Sequence, residues 1–335
     1  MAHATMKLLQ KYFAEAPALI IGSGLSASHG VPGMHQLAEH LIAEVTPPDG
    51  TEANWEECTE LLSQGIDLET TLTRTHLDHE LIEAVVDTTW RYIAQHDVSL
   101  FHASAREHDF FALSRLLAAL FRSSLAAVDI ITPNYDRLIE YACDHARFHH
   151  YSGFSAGYLR TLQTAEYLTC DRVVRIWKVH GSIDWFKMPS GETCALGHLT
   201  EIPPGFRPLI VTPGVSKYQE AFHEPYRTTM AAADQAIESA GSFLCVGFGF
   251  NDDHIQEKLV TACTRDKRPI VAISKELTDS ARKFLLSGEV DCFVAIEANP
   301  DDPSQSVVYS SDSDNPLNVD CDLWSLQGYV EAVTS

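Results

Sequence analysis

Short apolar runs that do not alternate with polar positions punctuate the chain, beginning with Ala18-Leu19-Ile20-Ile21, which stops at Gly22. Such a run, closed by glycine and small residues and followed by a helix-like pattern, predicts a buried strand entering a tight turn. Comparable runs are Val128–Thr132, Val173–Val179, Leu209–Thr212, Phe243–Gly247, Ile270–Ile273 and Asp291–Ile296, most of them bordered by helical stretches. Strands apolar on both faces are covered on both faces, which predicts an α/β fold with a mostly parallel sheet between helical layers.

From about Met34 to Ala127 the period changes. Leu37, Leu41, Leu61, Leu62, Leu81, Ile82, Leu113, Leu116, Leu117 and Leu120 recur at threes and fours, predicting an all-helical inserted subdomain over residues 34–127. Pro47-Pro48-Asp49-Gly50 marks a loop inside it. Beyond residue 298, Asn299–Pro303 and Ser310–Pro316 read as turn-rich, with Leu323–Val330 as a short helix packed back on the domain. The division is then a core of 16–33 and 128–298, the insertion, and a closing segment of 299–335, all in a single domain.

Composition narrows the partners. With 24 Lys and Arg against 46 Asp and Glu the formal net charge is −22, so no surface for tracking nucleic-acid phosphates is expected. Arg115, Arg122, Arg137 and Arg147 fall close together and read as solvated helix faces. Eight cysteines, at 58, 143, 170, 194, 245, 263, 292 and 321, form no C-x-x-C pair and read as reduced thiols. No leader-like segment and no run of the roughly 20 apolar residues that span a membrane is apparent, so a cytoplasmic protein is expected. His149-His150 and the pair His76 and His79 lack the ligand complement of a zinc site and read as surface polarity.

The chemistry sits at the ends of the predicted strands. Gly22-Ser23-Gly24-Leu25-Ser26-Ala27 fits G-x-G-x-x-G/A after a strand, a spacing that lets backbone N–H groups approach a pyrophosphate. A plain strand-to-helix turn would use the same residues. Extended to Gly33, the segment resembles the sirtuin signature G-A-G-x-S-x-x-S-G-I-P-x-F-R, with Ser26, Gly30 and Pro32 in matching places and Met34 and His35 after Gly33 where that pattern carries its aromatic and arginine. Three further blocks follow in that family's order. Thr132-Pro133-Asn134-Tyr135-Asp136 resembles T-Q-N-I-D, and Trp177–Ser182 resembles the histidine-glycine element. Val246–Ile255 resembles the late glycine-rich loop of the divergent prokaryotic sirtuin-like branch. Val271–Ser274 is similar to the strand whose end meets the adenine ribose.

The resemblance implies a Rossmann-like catalytic domain with NAD as substrate. Asn134 and His180 would be catalytic. Gly22, Ser23, Gly24, Ser26, Asp136, Gly247, Phe248, Gly249, Asn251 and Ser274 would hold the dinucleotide. Breaking the nicotinamide–ribose bond builds positive charge on the ribose, so a site must hold the ribose hydroxyls, place a nucleophile and accept a proton. An asparagine amide both donates and accepts, and histidine, with a reference pKa of about 6.5, can serve as base. Alternative roles remain open: an Asx turn for Asn134, a turn carboxylate for Asp136, and a helix N-cap for Asp252 or Asn251. Only Cys194 lies in the interval where sirtuin deacetylases carry paired C-x-x-C elements, so no zinc is expected. The expected function is an NAD glycohydrolase giving nicotinamide and ADP-ribose, of the kind that depletes NAD in bacterial anti-phage defence. By the same resemblance it would form a homo-oligomer and pair with a HerA-type ATPase. A protein deacylase or ADP-ribosyltransferase, and a non-catalytic NAD or ADP-ribose sensor, are the alternatives.

Overall fold

A computed structural model describes residues 2–75, 77–168, 170–212 and 223–334. His76 lies outside them. A nine-stranded sheet forms the middle of the molecule. Inside it, β1 (Ala18–Ile21) is flanked on one side by β2 (Ala127–Thr132), then by β5 (Val173–Lys178) and the edge strand β3 (His149–Tyr151). On the other side lie β9 (Phe243–Val246), β10 (Ile270–Ile273) and β11 (Phe293–Ala298). All of these pairings are parallel. The chain runs outward from β1 in one direction and outward from β9 in the other, so the strand order reverses between them. Such a switch point opens a crevice at the carboxyl ends of the strands.

The non-alternating apolar runs are explained by two cores. Leu19, Ile21, Ile130, Val174, Leu244, Val246, Val271 and Ile273 face one side of the sheet, with α7 (Ala112–Leu120), α8 (Leu138–Ala146) and the terminal helix α12 (Leu326–Thr334). Ala18, Ile20, Ile131, Trp177, Phe243, Cys245, Ile270 and Ala272 face the other, with α9 (Tyr226–Ser239), α10 (Asp253–Val260) and α11 (Asp279–Leu285). Burial of each large apolar side chain contributes about 1.5–3 kcal/mol, and a strand that pairs this way on both faces has no polar position to spare.

The helical segment comprises α3 (Met34–Glu44), α4 (Glu52–Ser63), α5 (Leu68–Arg74) and the long α6 (His79–Ser104). It has its own core around Leu37, Leu41, Trp55, Leu62, Leu72 and Leu81. α7, read from the sequence as part of the same insertion, instead packs Leu113, Leu116, Leu117 and Leu120 on the main sheet. Arg137 also departs from its sequence reading. It is buried, and its guanidinium pairs with the buried Asp97 of α6.

The apolar run Leu209–Thr212 does not join the main sheet. Residues Arg207–Ile210 form β8, which belongs to a separate antiparallel sheet of order β4-β7-β6-β8, with β4 (Leu159–Thr161), β6 (Gly181–Lys187) and β7 (Thr193–Leu196). Its inner residues Ile183, Phe186, Cys194 and Ile210 pack against Trp90 and Ile93 of α6. In the segment 299–335, read as turns and a helix, β12 (Ser306–Ser310) and β13 (Ser313–Val319) extend the main sheet antiparallel to β11 before α12. No helix among the described residues is long and apolar enough to cross a membrane.

Candidate functional site

Four neighbouring strands, β9, β1, β2 and β5, end on the same side of the sheet, and the loops that follow them form one wall of a cavity of about 810 Å³. α3 and α5 supply the opposite wall through Met34, Leu37, Leu68, Glu69, Thr73 and Arg74. Small-molecule sites span roughly 300–1,000 Å³, so the volume suits a ligand of dinucleotide size.

The first loop is shaped by glycine contacts. A Cβ on Gly22 would meet the carbonyl oxygen of Gly247 at 2.4 Å and the Cα of Phe248 at 2.5 Å. Gly247, at φ +57°, would bring its own Cβ to 2.5 Å from the nitrogen of Leu25. The N–H of Gly22 donates to Val246 and that of Gly24 to Gly247, both at 3.0 Å. These amides therefore tie the β1 and β9 loops together, while Ser23 and Ser26 of the short helix α2 (Ser23–Ala27) line the cavity.

The second loop, residues 133–137 after β2, is held along its length. The hydroxyl of Thr132 donates to the Ile21 carbonyl at 2.7 Å and accepts from the Asn134 N–H at 3.1 Å. The Tyr135 carbonyl accepts from the N–H of Ile183 at 3.1 Å, and its phenol donates to Val211 at 2.6 Å. The fully buried Lys178 donates to the Asp136 carbonyl and pairs with Glu140 at 3.3 Å. The N–H of Arg137 donates to Asp97 at 2.7 Å, and the Tyr141 phenol donates to the same carboxylate at 2.6 Å. A segment bonded at each residue from Asn134 to Arg137 holds its side chains with little loop entropy to lose on binding.

Three polar groups meet on this loop. The Asn134 amide donates to the Ser26 hydroxyl at 3.0 Å, leaving its carbonyl oxygen as an acceptor. The Asp136 carboxyl accepts from the Leu138 N–H at 3.1 Å, with the Ser26 hydroxyl near enough to favour its ionised form. Burial pushes the Asp136 carboxyl above the usual carboxylate range, with Lys178 pulling the other way. It is a buried acid held at an energetic cost, a common condition at functional sites.

His180 follows β5, and its backbone is clamped. Its carbonyl accepts from the N–H of Val211 at 2.9 Å. The next residue, Gly181, has φ +83° and leaves no room for a Cβ, the Leu209 carbonyl oxygen lying 2.1 Å from where one would be. The imidazole Nε2 lies 2.9 Å from Oδ2 of Asp252, and both side chains are nearly buried. The other oxygen of Asp252 accepts from the N–H of Ile255 at 3.1 Å and caps α10. The capping role read from the sequence is thus present, and a histidine contact that spacing does not reveal accompanies it.

Of the residues singled out in the sequence, Gly22, Ser23, Ser26, Asn134, Asp136, His180, Phe248, Gly249 and Asn251 line one cavity. Gly24 and Gly247 lie behind its wall against each other. Ser274 ends β10 away from the lining, its hydroxyl donating to the Glu276 carbonyl at 2.8 Å. Met34 lines the cavity, whereas His35 is exposed and pairs with Glu39 at 3.6 Å. Sequence reasoning missed the α5 wall with Asp67, Glu69 and Arg74, and Ser280 at the start of α11. Among the described residues no group of three or more His, Cys, Asp or Glu side chains is arranged to hold a metal ion.

Fold and cavity define an α/β protein with a polar crevice at the switch point of a mostly parallel sheet. Residues 128–292 match the family model described as a SIR2-like domain, a span just under half of the chain. The match supports a sirtuin-like family. Similar solved structures include one described as the structural basis for the mechanism and regulation of Sir2 enzymes, at 15% identity and a TM-score of 0.47, covering 100% of this chain and 99% of that one. A mutant Sir2 homologue in complex with ADP-ribose shares 15% identity at a TM-score of 0.46, with 82% and 86% of the two chains covered. A Sir2 homologue in complex with NAD shares 15% identity at a TM-score of 0.43, with 86% of each chain covered. No curated protein matches the sequence.

Proposed function

We propose that this chain is a sirtuin-like enzyme that takes NAD as substrate and hydrolyses its nicotinamide–ribose bond, releasing nicotinamide and ADP-ribose. The observation that carries the proposal is the convergence of Asn134, Asp136 and His180 on one cavity of dinucleotide size at the switch point. Asn134, oriented by Ser26, offers its carbonyl oxygen to a ribose hydroxyl or to the attacking water. Asp136 receives the nicotinamide amide. His180 takes the proton released as water bonds to the ribose carbon. Among the described residues of the lining, carboxylates at Asp67, Glu69, Asp136, Asp252 and Asp253 outnumber the guanidinium of Arg74, which favours positive charge growing on the ribose.

The Val246–Ile255 loop supports a finer assignment to the anti-phage branch, with a homo-oligomer working beside a HerA-type ATPase in the cytoplasm. The free cysteines are in keeping with a reducing compartment.

The test is to incubate the purified chain with NAD, with and without an acetylated peptide and with and without a HerA-type ATPase. Products are then separated by chromatography. Free ADP-ribose formed without peptide is the expected result. Nicotinamide release that requires the peptide, with an acetylated ribose product, would replace hydrolysis by deacylation. NAD recovered intact from every mixture would leave the proposal without support.

A further inference from the structure

We infer that Asp252 is a positioning residue that fixes the tautomer of His180, so that the imidazole takes up a proton through Nδ1. The inference rests on the proposed NAD hydrolysis for its kinetic consequence but on geometry alone for the tautomer. An ionised carboxylate can only accept hydrogen bonds, so a 2.9 Å contact to Nε2 places the hydrogen on that nitrogen. The neutral ring then carries its lone pair on Nδ1. No hydrogen bond among the described residues engages Nδ1, and His180 lines the cavity.

The carboxylate is itself held. Oδ1 accepts from the first turn of α10, which leaves Oδ2 aimed at the ring. Because Val211 and Gly181 clamp the backbone of His180 on the far side, side-chain rotation is the freedom left to the imidazole, and Asp252 removes it. In the step served, the oxygen of water bonds to the ribose carbon as the bond to nicotinamide breaks and its electron pair leaves with the base. The proton of the water passes to Nδ1, and the imidazolium so formed is stabilised by the carboxylate across the ring. A histidine and carboxylate pair of this kind orients the ring and stabilises its charged form without the acid taking the proton.

Asp252→Asn separates this role from capping, since asparagine caps helices as well as aspartate but presents an amide in place of a carboxylate. The full-length variant should keep the thermal stability and KM for NAD of the wild type while kcat falls about 100-fold or more. A second readout does not depend on turnover. In protein labelled with nitrogen-15 histidine, the His180 ring, assigned by its loss in His180→Gln, should show a protonated Nε2 and an unprotonated Nδ1, a pattern that Asp252→Ala erases. Wild-type kcat in Asp252→Asn beside an inactive His180→Ala would overturn the kinetic role. A His180 ring protonated on Nδ1, or unchanged by Asp252→Ala, would overturn the tautomer assignment. If the wild type cleaves no NAD, the proposed function fails and the nitrogen signature still decides the tautomer.

Discussion

At the scale of single residues, Asn134 and His180 were legible because their chemistry lies in motifs that end predicted strands. Asp252 was legible only in part. The helix it caps can be read from Asp252 followed by His254 and Ile255, but where its second oxygen points depends on a residue 72 positions away, in the turn after β5. Asp136 is the buried acid of the proposed site, and burial raises its pKa. A carboxyl whose pKa is raised in the folded state contributes stability below its ordinary value and loses it as pH rises through the raised one. At neutral pH its ionised form is therefore a burden. Asp136→Asn should unfold at the same or a higher denaturant concentration than the wild type at pH 7, while nicotinamide release falls. A marked loss of stability at pH 7 would show that the carboxylate is instead a net stabilising partner of Lys178.

At the scale of elements, the strands buried on both faces announced themselves, since β1, β9 and β10 contain no polar residue. The small antiparallel sheet did not. β4 and β7 are three and four residues long and only partly apolar, and nothing in the run 209–212 says whether its partner lies parallel or antiparallel. The hairpin of β12 and β13 is masked by its own composition. Asp, Ser, Asn and Pro316 read as turns, yet an edge strand tolerates them. The glycine turn was legible as a turn, but the reason for its glycines was not. They allow two loops to touch, Gly22 and Gly24 on Gly247, rather than leaving amides free at those positions. Gly22→Ala should therefore destabilise the fold by about 2–4 kcal/mol and weaken NAD binding by separating the β1 and β9 loops, measured by thermal unfolding and calorimetry. An alanine variant with unchanged Tm would mean that the loops part at no cost.

At the scale of the whole molecule, buried ion pairs join the layers around the site. Asp97 ties α6 to Arg137 at the end of the 133–137 loop, and Asp184 of β6 pairs with Arg160 of β4. None of these pairings can be read from the acidic composition, which speaks only of the surface. Although burial opposes it, Arg160, with Arg137 and Lys178 further off, holds the Asp184 carboxyl at about 2 against an ordinary 3.8. A depressed acid contributes stability above its ordinary pKa and loses it as pH falls through the folded one. The wild type should thus lose about 2 kcal/mol through Asp184 between pH 4 and pH 2, a component missing from Asp184→Asn. Parallel unfolding curves for the two proteins across that window would remove Asp184 from the acid response. The central proposal is that NAD is cut in this cavity. Its most direct test is the rate of nicotinamide release at saturating NAD for the wild type and for Asn134→Ala, both shown to be folded by circular dichroism. Release by the wild type and a fall of 100-fold or more in the variant, on the order of 3 kcal/mol of transition-state stabilisation, are expected. Equal rates in the two proteins would contradict it.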